Sequence, residues 1–249
     1  MPSRFKLTLE YDGTDFVGWG VQPGQRSIQG EIEAAIEKLT GTFTRVDVSG
    51  RTDAGVHALG QVCAFSTPAS RSEKEVRDGL NRFLPLDVAV VEAERVSEDF
   101  DPRRGAKQKQ YRYRWVSRSA RSPLQRHRAW HVRADLDAEA MNRAVQCLVG
   151  THDFQTFRAS SCCAPSTVRT IPHWAVTRRG EHVTLESFGH GYLQHMIRIV
   201  AGSLYDIGRA KRPEEWLAEC LNAQDRTVAG PTAPACGLTL VSVQYPSSD

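Results

Sequence analysis

Gly60-Gln61-Val62-Cys63-Ala64-Phe65-Ser66 is a short run of strand formers, and Ser72-Glu73-Lys74-Glu75 follows shortly after it. The run has the length and composition of a strand bounded by turn residues. Ser72 with Glu75 is a capping box, opening a helix that runs to Phe83 and is closed by Pro85. Working outward, residues 87–97 carry Val88, Val90, Val91 and Val96 and read as a strand. Upstream, residues 44–49 read as a strand before a loop at 50–58. Ser27 caps an earlier helix with the apolar stripe Ile28, Ile32, Ala35, Ile36 and Leu39, ending near Gly41. Residues 4–11 alternate as a strand. The order is β-α-β-β-α-β, the signature of a ferredoxin-like unit.

The remainder of the chain echoes that order. A strand is expected over 107–117, a helix from about Asp137 to Val149 with Gly150 behind it, and strands over 167–177 and 181–188. Helices follow at 193–208 and 213–222, and a last strand at 238–245. The expected architecture is α+β, with two ferredoxin-like (βαββαβ) halves of antiparallel sheet and helices on one face. The halves are expected at 1–105 and 106–249, with a hinge at 100–106 around Pro102.

The 249 residues are 40% apolar and 24% charged, which is the composition of a soluble globular protein rather than a disordered or fibrous one. No apolar run approaches the ~20 residues of a membrane span, and the N-terminus lacks the apolar core of a signal peptide. Six cysteines form no C-x-x-C pair, so a reducing cytoplasm is the expected compartment.

The net charge of +3 hides an asymmetry. Residues 101–133 hold 11 Lys and Arg against one acidic residue, Asp101, leaving 21 basic and 28 acidic residues elsewhere. Arginine forks suit phosphate oxygens, and Tyr111, Tyr113, Trp115 and Trp130 interleave with them. The strip reads as a nucleic-acid surface, with Arg103, Arg104, Arg121, Arg126 and Arg128 as its candidate RNA contacts. The alternative is a solvated strand face.

Several chemistries are absent. There is no phosphate loop, no dinucleotide fingerprint, no nucleophile elbow and no H-E-x-x-H. His127 and His131 are spaced like a helical metal pair, but arginine neighbours oppose a metal there. Asp12-Gly13-Thr14-Asp15 reads as a turn. The site is therefore expected to use no cofactor and no metal.

One loop stands out: Gly50-Arg51-Thr52-Asp53-Ala54-Gly55-Val56-His57-Ala58. It sets a single carboxylate between an arginine and a histidine, and flanking cations favour the ionised form that a nucleophile needs. The alternative is an Asx turn in which Asp53 bonds its own backbone.

That nine-residue loop resembles the signature of the TruA family of tRNA pseudouridine synthases. The resemblance extends over nearly the whole chain. It takes in Tyr11-Asp12-Gly13-Thr14 with Phe16-Val17-Gly18-Trp19, Leu80-Asn81-Arg82-Phe83-Leu84-Pro85, and Lys109-Gln110-Tyr111-Arg112-Tyr113. It continues through Gly150-Thr151-His152-Asp153-Phe154, Val168-Arg169-Thr170-Ile171, His195-Met196-Ile197-Arg198 and Ala233-Pro234-Ala235-Cys236-Gly237-Leu238. The resemblance implies a cofactor-free homodimer that isomerises uridines at positions 38–40 of the tRNA anticodon stem-loop, with tRNA as its partner and no membrane. It implies Asp53 as nucleophile, and Tyr111 as the ring that stacks on the base and takes its proton. Arg198 is implied to pair with the aspartate, Arg51 to help extrude the base, and Leu238 to pack beside the uracil. His57 closes the signature as a substrate-side residue. Gly20, Gln194, Ile199 and Cys236 depart from the family's usual residues, and none of them removes a catalytic group. A rival reading, two non-catalytic RNA-binding modules, requires an aromatic RNP1-like strand that the chain lacks.

Overall fold

The computed structural model describes residues 3–246. The chain divides into two units, residues 1–107 together with 240–249, and residues 108–239.

In the first unit the expected order is realised as β1 (Ser3–Tyr11), α1 (Ile28–Thr40), β2 (Asp47–Val48), β3 (His57–Thr67), α2 (Glu73–Phe83) and β4 (Val88–Val96). β1 is the middle strand, antiparallel to both β3 and β4. Its alternation buries Phe5, Leu7, Leu9 and Tyr11 on one face. Ser27 accepts the Gly30 N–H at the start of α1, and Gly41 closes that helix at φ 76°. Both halves of the Ser72–Glu75 capping box form. Asn81 then ties α2 to β4, donating to the Val90 carbonyl and accepting the Val90 N–H, both at 2.8 Å.

Two boundaries in this unit differ from expectation. The strand expected over 44–49 shrinks to Asp47–Val48, because buried Glu33 takes the Val46 N–H at 3.1 Å in place of a strand partner. β3 begins at His57, inside the expected loop, since Ala58 already pairs with Tyr11.

The second unit holds β5 (Gln108–Ser117), β6 (Trp130–Val132), α3 (Ala138–Val145), β7 (Gly150–Asp153), β8 (Val168–Ile171), β9 (His173–Arg179), β10 (His182–Gly189), α4 (Met196–Gly208) and α5 (Trp216–Ala223). β10 lies antiparallel between β5 and β9, β6 adds parallel to β5, and β7 pairs with β8 alone. α3 packs on β9 and on α4. The strand expected over 167–177 is split at Pro172, which has no N–H to continue a ladder, so β8 and β9 belong to different sheets. The helix expected to reach Val149 ends at Val145 and tightens into a single 3-10 turn. β6 and β7 are too short for periodicity to reveal.

The last strand, β11 (Leu238–Gln244), starts in the second unit, but Leu240 onward belongs to the first. The expected halves, 1–105 and 106–249, assign all of that strand to the second. Among the described residues, no helix is long and apolar enough to cross a membrane.

Candidate active site

Asp53 sits on a loop whose backbone is gripped from outside. Gly18 and Asp53 form an isolated antiparallel bridge. The Trp19 N–H donates to the Thr52 carbonyl at 3.0 Å, and the Gly55 N–H to the Phe16 carbonyl at 3.3 Å. The approach is so close that side chains are excluded. A Cβ on Gly13 meets the Val56 carbonyl oxygen at 2.0 Å, and one on Gly18, at φ +107°, meets the Thr52 carbonyl oxygen at 2.7 Å. The gripping segment is itself held: Arg26 ion-pairs with Asp87 and Glu31 and lies over the Phe16 ring, 4.1 Å from its centroid.

Beneath the loop lies a buried polar network. The Tyr11 hydroxyl bonds the Thr52 hydroxyl at 2.8 Å. Gln61, fully buried, donates to the Gly50 carbonyl at 2.8 Å and to the Tyr11 oxygen at 3.3 Å, and accepts from Ser49 at 2.8 Å. Burial pushes the Tyr11 hydroxyl up to about 12, against its bonds to Thr52 and Gln61, so it stays protonated. His57 is 2% exposed, and its Nδ1 accepts the Gly13 N–H at 3.1 Å. An Asp12 carboxylate oxygen lies equally close to that nitrogen, at 3.1 Å. Tyr11 and Thr52 stand within the sequence motifs with no role assigned to either, and Gln61 lies outside them. The one sequence signal for Gln61 is a polar residue within an apolar strand, and it says nothing of what the amide holds.

Of the other expected residues in this unit, Arg51, Arg103 and Arg104 are exposed. The backbone N–H groups of Arg103 and Arg104 both donate to the Asp101 carboxylate.

In the second unit Tyr111 lies on β5, 9% exposed, with its ring edge-on to Tyr192 at 5.0 Å. Arg198, on α4, donates through Nε to the Ala233 carbonyl at 2.8 Å, while the Ala233 N–H returns to the Arg198 carbonyl at 3.0 Å. Leu238 begins β11 after the 3-10 turn Ala235–Gly237, and the Tyr113 hydroxyl anchors that approach on the Pro234 carbonyl at 2.8 Å. Arg198 and the segment leading to Leu238 are thus one hydrogen-bonded assembly.

The basic strip is divided. Arg103, Arg104 and Lys107 belong to the first unit and the other cations to the second. Two of the latter are paired, Arg112 with Glu186 on the neighbouring strand and Arg118 with Glu181 in the turn before β10, both at 2.8 Å. Arg121, Arg126 and Arg128 are exposed. Among the described residues, no group of three or more His, Cys, Asp or Glu could hold a metal.

The first unit thus carries a carboxylate on a loop clamped on both sides by backbone bonds. The sequence profile of the tRNA pseudouridine synthase family matches residues 8–103 and 144–246. The chain is 50% identical to tRNA pseudouridine synthase A of Myxococcus xanthus, over 97% of this chain and 92% of that one. It is 44% identical to the enzyme of the same name from Pelobacter propionicus, over 96% and 98% of the two chains. For that of Paramagnetospirillum magneticum the figure is 46%, over 98% and 96%. The chain belongs to the TruA family of tRNA pseudouridine synthases.

Proposed function

We propose that this protein is an isomerase that converts uridine to pseudouridine at positions 38–40 of the tRNA anticodon stem-loop, as a cytoplasmic homodimer of two ferredoxin-like halves. Family membership over nearly the full chain carries this reading, and the rigid mount of Asp53 supports it. The reaction balances without a redox partner. The N1–C1′ bond breaks, the ring turns, C5 bonds to C1′, the C5 proton leaves and N1 gains one. The target first leaves the stack, at a cost of a few kcal/mol, and enters a pocket. Asp53 is the nucleophile, Arg198 supplies the cation of the site, and Tyr111 stacks on the base and takes its proton. Arg51 helps extrude the base and Leu238 packs beside the uracil, while His57, expected on the substrate side, is buried and acts through the loop it braces. No cofactor or metal takes part.

Incubating the protein with an unmodified tRNA transcript and no cofactor, then mapping pseudouridine, tests the reading. Product confined to the anticodon stem-loop is expected. No product, or product only elsewhere, overturns it.

Loop mounting has its own expected signature. Gln61→Ala removes the donor to the Gly50 carbonyl and one acceptor for the Ser49 hydroxyl, which costs about 1–3 kcal/mol of stability. Its single-turnover rate is expected to fall about tenfold or more, because the carboxylate is displaced, while tRNA affinity changes little. A variant that melts as expected yet turns over at the wild-type rate would remove Gln61 from the mount.

Phosphate contacts are expected from Arg103, Arg104, Arg121, Arg126 and Arg128. Each real contact contributes roughly 0.7–0.9 to the slope of log affinity against log salt. Arg128→Ala should lower that slope by about one unit and weaken different tRNAs equally. An unchanged slope for every one of these arginines would place the tRNA surface elsewhere.

A further inference from the structure

A cleft of about 450 Å³ opens in the second unit, with Trp130 and Ala129 in its wall, Arg121 and Arg126 on its rim, and His131 and Cys236 completing the lining. That volume falls within the roughly 300–1,000 Å³ range of small-ligand sites. Its lining contains no carboxylate. The loop that forms its rim is built rather than loose. Arg118 donates to the carbonyls of Ala120 and Arg121, both at 2.9 Å, and to Glu181, while the ring of His131 bonds the Arg118 carbonyl at 2.9 Å. The Arg126 guanidinium donates to the Pro123 carbonyl at 3.0 Å, which holds it over the turn. The indole of Trp130 is steadied by Tyr205, with ring centroids 4.5 Å apart. Both rim arginines are exposed, and among the described residues neither is ion-paired. Cys236 belongs to the segment that is bonded to Arg198 and leads into Leu238.

We infer that this cleft takes one unstacked nucleobase of the bound tRNA, a neighbour of the target rather than the target itself. Trp130 is its stacking platform, and Arg121 and Arg126 sit on the adjoining phosphates. The inference rests on the tRNA reading above. A purely apolar ligand would fill the cleft but leave two guanidiniums without counter-charge. A nucleotide meets both, offering a flat ring to the indole and an anion to each fork. The position beside the Leu238 segment places this nucleotide near the target uridine of the proposed reaction.

The test uses the full-length protein, an intact tRNA transcript, and a series of transcripts each carrying one abasic ribose in the anticodon stem-loop. Trp130→Leu keeps an apolar wall but removes the stacking face, and Trp130→Phe keeps a smaller face. Stacking on one base is expected to contribute roughly 5- to 100-fold in affinity. Trp130→Leu should therefore bind the intact transcript more weakly by that factor, and Trp130→Phe should recover most of it. One abasic transcript should bind wild type more weakly by the same factor and be indifferent to Trp130→Leu. Arg121→Gln with Arg126→Gln, at exposed positions, should weaken all transcripts equally. If Trp130→Leu does not fold, the abasic series on the wild-type protein decides. The inference is overturned if no abasic position weakens wild-type binding at least about fivefold, or if the loss is additive with Trp130→Leu. Pseudouridine formation by wild type on the intact transcript is scored in parallel. Its absence defeats the functional reading, whereas its presence without coupling to Trp130 defeats the cleft alone.

Discussion

Asp53→Asn is expected to lower pseudouridine formation by at least about 10³-fold while leaving the fold and most of the tRNA affinity intact. An amide keeps the shape of the carboxylate and removes its charge and nucleophilicity, the change to which covalent catalysis is most sensitive. The loop should not move. Its grip comes from backbone bonds at Trp19–Thr52 and Gly55–Phe16, which the substitution does not touch. Affinity should persist because phosphate contacts supply most of it. Rate and filter binding are measured on one preparation. Turnover within tenfold of wild type would strip Asp53 of its role. Loss of rate together with loss of binding would show that the residue builds the surface rather than the chemistry.

Gly13→Ala is expected to be nearly as damaging to the rate, for a different reason. The new Cβ would stand 2.0 Å from the Val56 carbonyl oxygen and 2.6 Å from its carbon, and both are backbone atoms with no rotamer to move. Either the turn at Asp12–Thr14 or the Asp53 loop must shift. We expect a loss of about 3 kcal/mol or more in stability. The rate should fall about 10²-fold or more, the effect of moving a catalytic group by about an ångström. Gly20→Ala is the control, since a Cβ there meets nothing within 4 Å, and its stability should stay within about 0.5 kcal/mol of wild type. Chemical denaturation and single-turnover kinetics on the pair check this. A Gly13→Ala protein that melts and reacts like wild type would mean that the loop is not clamped there.

Local patterns made much of the first unit readable. The alternation of β1, the Ser72–Glu75 box and the Gly41 stop are each written in neighbouring residues, and each formed as expected. The second unit was less legible, because its elements are short and its breaks depend on single residues such as Pro172. The basic strip shows another limit. A local count adds Arg112 and Arg118 to the charge, yet Arg112 is paired with Glu186 on β10, 74 residues away, and Arg118 with Glu181 in the turn before β10, 63 residues away.

The sequence by itself determined the family, through a nine-residue loop and motifs spread along the chain, and it marked Asp53 as the carboxylate of interest. Motif chemistry is local, since a carboxylate between cations is visible in the order of residues. What holds that carboxylate was decided only by tertiary structure. Tyr11 and Gln61 are 50 residues apart and meet under the loop, and Gly13 is a necessity only because the Val56 carbonyl passes against it. A buried hydrogen bond and a van der Waals contact depend on where distant backbone comes to rest, and no local pattern carries that information.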